Sequence, residues 1–147
     1  MCVPEFLRCE MYRGRFGTNT SSSVVFPFYS TADCISVQIE PYLYYMQYLT
    51  YRELHQEPKR MEVLMKLLKF TTSIKIRRVV LSNGDILLSF DHFDTSLNML
   101  GHCLELEQNL ELAWITYRAS LKMLPQRNAA ALHIVRLLWQ VDKGMWG

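Results

Sequence analysis

From about residue 39 onward the apolar positions of this chain fall into helical stripes, and before that point they do not. Tyr42, Tyr45, Met46 and Leu49 recur at i, i+3, i+4 and i+7, the spacing of one face of an α-helix. Tyr44, Tyr48 and Tyr51 stripe the neighbouring face, which predicts a helix sandwiched between others. Pro41, with Glu40 beside it, suits a first helical turn. Pro58 closes this helix, because a residue before proline avoids helical geometry. The same proline opens a second helix, with Met61, Leu64, Met65 and Leu68 on its inner face. Glu62 and Lys66 make a favourable i, i+4 pair on its outside. So short a connection predicts two antiparallel neighbours.

Between residues 71 and 90 the helical rhythm breaks. Ile74, Ile76, Val79, Val80 and Leu81 precede Ser82-Asn83-Gly84-Asp85, and Ile86-Leu87-Leu88 follow. Asn-Gly between β-prone runs predicts a small β-hairpin, and the alternative is an irregular connecting loop with a tight turn. Asp91 or Asp94 can cap the next helix, which carries Leu97, Leu100 and Leu104. After a break at Gln108-Asn109 comes a helix with Leu110, Ala113, Trp114, Tyr117 and Leu121, stopped before Pro125. A last helix starts near Asn128, with Ala131, Ile134, Val135 and Leu138 on one face, and Asp142-Lys143-Gly144 ends it. Residues 1–38 read as a poorly ordered N-terminal arm, given Gly14, Gly17 and the run Thr18 to Ser23. The expected fold is all-α: a stack of antiparallel helix hairpins over 39–147, about five helices with one insert.

Composition narrows the classes. Half of the residues are apolar and a fifth are charged, the profile of a globular chain. The net charge of +2 does not by itself argue for nucleic acid or an anionic membrane. No apolar run reaches the roughly 20 residues of a membrane span, and the N-terminus lacks a basic start followed by an apolar core. Cys2, Cys9, Cys34 and Cys103 include no Cys-x-x-Cys pair, so reduced thiols in a cytoplasmic protein are expected.

The segment from Asp94 to Arg127 carries a motif: Leu97-x-x-Leu100-Gly101-x-x-Leu104, then Ala113-x-x-x-Tyr117-x-x-Ser120-Leu121-x-x-x-Pro125. It resembles a tetratricopeptide repeat, a helix-turn-helix unit of about 34 residues. In such a unit Gly101 and Ala113 let two backbones approach, and Tyr117 fills the groove between them. Ser120 keeps the following helix close, and Pro125 stops the second helix. Leu97 stands for the usual tryptophan, Leu104 for the usual tyrosine and Gln108 for a turn glycine. Asn109 is expected to relieve that turn, since asparagine tolerates left-handed geometry. The resemblance implies a non-catalytic protein-binding scaffold. Its concave face would present Asn98, His102 and Glu105, joined by Arg136, to a protein partner, and self-association fits the same reading. His102 and Glu105 do not supply the cationic grip of chaperone-binding members. With fewer than three full repeats the module would be marginal alone.

A second stretch, Pro41 to Tyr51 and then Ser96 to Cys103, is similar to helical tails of invertebrate proteins. Some of these tails follow a cyclic GMP-AMP synthase-like nucleotidyltransferase domain. That likeness implies an accessory tail or a fragment, and the catalytic acidic triad of that fold has no counterpart here. A third reading is nucleic-acid binding through Arg77 and Arg78 beside a tyrosine face, within a middle made basic by Lys59, Arg60, Lys66, Lys69 and Lys75. A solvated basic face is the plainer account.

No residue set points to catalysis, a cofactor or a metal. His55, His92, His102 and His133 are scattered without ligand spacing. Cys103 has only Met99 and Glu107 as helical neighbours, neither of which activates a thiol. Asp85, Asp91 and Asp94 read as a turn residue and two caps.

Overall fold

The structure, a computed structural model, describes residues 5–11, 37–73, 77–80, 86–89, 92–125 and 128–146. Six helices occur among them: α1 (Glu5–Met11), α2 (Ile39–Glu53), α3 (Glu57–Thr72), α4 (Phe93–Leu106), α5 (Leu110–Met123) and α6 (Ala130–Trp146). The fold is all-α. Two four-residue strands, β1 (Arg77–Val80) and β2 (Ile86–Ser89), pair antiparallel between α3 and α4, Arg77 opposite Ser89. The Asn83-Gly84 turn lies outside the described residues, as do Lys75, Asp85 and Asp91.

Helices α2 and α3 form one antiparallel hairpin and α4 and α5 a second. Helix α6 packs on α5, and α4 also touches α1, α2 and α3. Helix α4 is therefore the central element, and nearly all of it is buried, Phe93 through Gly101 without interruption. Pro41 lies in the first turn of α2 and Pro58 in that of α3, where the missing amide hydrogens cost no helical bond.

Both hairpin turns close in the same way. His55 (φ 52°) and Gln108 (φ 61°) occupy the left-handed region just past α2 and α4. The His55 amide donates to the Arg52 carbonyl and the Gln56 amide to that of Tyr51. The Gln108 amide donates to Glu105 and the Asn109 amide to Leu104. This paired pattern satisfies the last free carbonyls of each helix. The left-handed residue is thus Gln108 rather than Asn109. Asn109 instead caps α5, its side-chain oxygen accepting from the Leu112 amide at 3.3 Å.

Two expected faces are corrected. On α3 the inner face is Val63, Leu64, Leu67 and Thr71, while Met61 and Met65 are exposed. On α6 the inner face is Ala130, His133 and Leu137. Ala131, Val135 and Leu138 point outward, and the helix continues through Gly144. Both helices carry two apolar stripes, so spacing alone does not choose between them. Of the arm, residues 5–11 form α1, and Phe6 and Leu7 are buried in the main core with Tyr45, Met99, Leu100 and Tyr117. Asp94 sits inside the first turn of α4 and His92 takes the cap position. A carboxylate there still favours the positive end of the helix. Among the described residues no helix is long and apolar enough to cross a membrane.

Candidate functional site

The second hairpin owes its shape to steric fit. A Cβ on Gly101 would stand 2.5 Å from the Tyr117 ring, well inside contact distance. The absent side chain lets that ring lie on the α4 backbone, with Ala113 fully buried beside it. Leu97 and Leu100 are buried, Leu104 and Leu121 are half-buried against the core, and Pro125 is exposed just past α5. Ser120 is fully buried, and its hydroxyl donates to the Asp94 carbonyl at 3.1 Å. Asn128 accepts from the Ala130 amide at 2.9 Å, at the start of α6, and donates to the Ser120 and Leu124 carbonyls. These bonds hold α6 at a fixed angle to α5.

That placement brings side chains of α2, α4 and α6 together. Glu105, buried on α4, accepts from the Tyr117 hydroxyl at 3.0 Å and from Arg136 Nη2 at 2.6 Å. His102, one turn earlier, shares a 2.8 Å hydrogen bond between Nδ1 and the Tyr45 hydroxyl. His133 lies one turn before Arg136 on α6 and is almost fully buried. Three of the four expected face residues, His102, Glu105 and Arg136, therefore converge. Asn98 does not join them. It is fully buried and donates to Asn128 at 3.1 Å, so it helps to hold α6.

The face is occupied by the chain's own N-terminal helix. The Phe6 ring stacks on His102 at 4.0 Å and 5°, and on His133 at 4.0 Å and 14°. Two rings nearly parallel to a third at one spacing must lie on its opposite faces, so Phe6 is clamped between the imidazoles. The Arg136 guanidinium lies 5.3 Å from the same ring centroid, within the range of cation–π attraction. Tyr45 leans on Phe6 at 6.2 Å. Sequence reasoning missed Phe6 and His133. His102 and His133 stand thirty-one positions apart, and only tertiary packing brings them together.

The electrostatics suit an apolar guest. Burial first, then the Arg136 charge, lowers both imidazoles to about 3, so they present neutral aromatic faces at neutral pH. Glu105 balances Arg136. Burial raises the Tyr45 and Tyr117 phenols above their ordinary range and holds the Cys103 thiol protonated. Among the described residues no group of three metal-ligating side chains converges.

On the other side of α4, Glu107 ties in the first hairpin. It accepts from the Tyr48 hydroxyl at 2.6 Å and pairs with Arg60 at 2.9 Å. Among the basic residues of α3, Arg60 is thus engaged, Lys66 pairs with Glu62 at 2.7 Å, and Lys59 lies over the Tyr51 ring at 5.7 Å. Tyr45 and Tyr48 are fully buried, which removes them as stacking platforms for bases. The side chains of Arg77 and Arg78 lie outside the described residues. No family model matches the chain, and neither the curated proteins nor the solved structures contain a significant match to it.

Proposed function

We propose that this protein is a non-catalytic protein-binding scaffold of tetratricopeptide-like type, with the face of Tyr45, His102, His133 and Arg136 as its receiving surface. The observation that carries the reading is Phe6 between the two imidazoles. A peptide side chain, here the chain's own, already uses this face as a ligand would. The Gly101–Tyr117 fit and the small residues Ala113 and Ser120 support the repeat type, because they are its spacing devices. An aromatic anchor in a desolvated pocket is a common energetic centre of protein interfaces. The buried, unactivated Cys103 fits a reduced, cytoplasmic setting. An accessory role beside a nucleotidyltransferase-like domain is compatible with the same helices, and no contact in them favours it.

The test is selection from a random peptide library on the full chain, repeated with Arg136→Ala and His102→Ala chains. The reading expects a recurring aromatic position and at least tenfold weaker binding to both variants. Failure to enrich any peptide, or peptides indifferent to both substitutions, contradicts it.

A further inference from the structure

Among the described side chains of helix α1, Phe6 and Leu7 are buried, Phe6 against this face, while Glu5 and Arg8 are exposed. The helix packs on α4, far along the chain, and Phe6 also reaches Tyr45 of α2 and His133 and Arg136 of α6. Residues 12–36 join it to α2, and Gly14, Gly17 and the Thr18 to Ser23 run have linker composition. Seven residues are too few to hold a helix unaided in water, so α1 depends on the face it covers.

We infer that α1 is a tethered internal ligand that closes the groove, and that the external partner is a protein segment presenting an adjacent phenylalanine and leucine on a short helix. The inference rests on the scaffold reading above. The partner's chemistry follows from what α1 presents. The guest ring meets two neutral imidazoles, and the nearby Arg136 is already neutralised by Glu105 at 2.6 Å. An acidic tail finds no free cation among these groups, whereas an aromatic ring finds two stacking faces. Because α1 belongs to the same chain, it competes intramolecularly with any partner for this face. A partner therefore binds with its intrinsic affinity multiplied by the small fraction of open chains.

The experiment measures fluorescence anisotropy of a dye-labelled peptide of residues 1–13 on the full chain and on its Phe6→Ala variant, with circular dichroism checking that the variant stays helical. Leu7→Ala serves as an independent opening variant. The expected result is binding at least tenfold tighter to both variants than to the unaltered chain, and no binding of a peptide carrying Phe6→Ala. Equal affinity for the unaltered and opened chains overturns the inference. So does an opened, folded chain that ignores the peptide. An unaltered chain that dimerises by exchanging α1 overturns the internal closure as well. Library-selected peptides that need Arg136 but bind opened and unaltered chains equally would leave the scaffold reading standing and remove only the internal ligand.

Discussion

The two helix hairpins share a turn and differ in what joins them. Each closes with a non-glycine residue in left-handed geometry, His55 in one and Gln108 in the other, and with the same pair of backbone bonds. The α4–α5 hairpin is then held by shape, the Tyr117 ring resting where Gly101 has no side chain. The α2–α3 hairpin offers no such notch. Its tyrosines reach across to α4 by their hydroxyls, Tyr45 to His102 and Tyr48 to Glu107, and Arg60 adds an ion pair. One hairpin is therefore a steric lock, and the other is attached through polar ends whose strength depends on protonation. The proposed receiving face lies along α4 where the two meet.

The largest effect expected is from acid, which acts on the polar attachment and the groove and spares the steric lock. His102 and His133 sit near 3 in the folded chain, below the ordinary imidazole value. The unfolded chain then takes up protons first as pH falls. Stability is full above about pH 6.5, declines below it, and stops declining only near the folded value. At pH 5 the loss is up to about 2 kcal/mol for each ring. Urea midpoints at pH 7 and pH 5 check this, and a flat profile between them contradicts it.

Gly101→Ala attacks the lock. The added methyl group must push a fully buried ring, at a cost of about 2 to 3 kcal/mol, partly offset by the better helix propensity of alanine. The urea midpoint should fall, and pairing Gly101→Ala with Tyr117→Leu should recover part of the loss. Glu107→Ala attacks the other hairpin. It strands the half-buried Arg60 guanidinium and leaves the Tyr48 hydroxyl only the Cys103 carbonyl, at 3.2 Å, at a cost of about 1 to 2 kcal/mol. Its effect should shrink in high salt, and that of Gly101→Ala should not. The smallest effect is a matched pair of gains. His55→Gly and Gln108→Gly each relieve a left-handed backbone and should add about 1 kcal/mol. Similar gains would confirm the shared turn, and a loss at either site would break the likeness.

These particulars also show what was legible in the sequence. Gly101, Ala113 and Tyr117 could be read because their spacing encodes a local steric event between adjacent helices. The inner faces of α3 and α6 could not, because each helix has two apolar stripes and the choice is made by distant neighbours. On α6 the stripe of Ala131, Val135 and Leu138 is as periodic as the buried one. Asn98 looked like a face residue by position, yet the polar start of α6 draws it inward to Asn128. The structure brings His102, Glu105 and Arg136 together, while the Phe6 ring packed among them escaped notice. Phe6 belongs to a segment too short to show periodicity, and nothing local announces that two distant histidines enclose it.

The most direct measurement is proton NMR of the full chain with its phenylalanine and histidine rings isotopically labelled. The account predicts nuclear Overhauser contacts from the Phe6 ring to both His102 and His133, with Phe6 resonances shifted upfield by the two stacked imidazoles. Phe6 resonances at random-coil positions, without contacts to either imidazole, would contradict it.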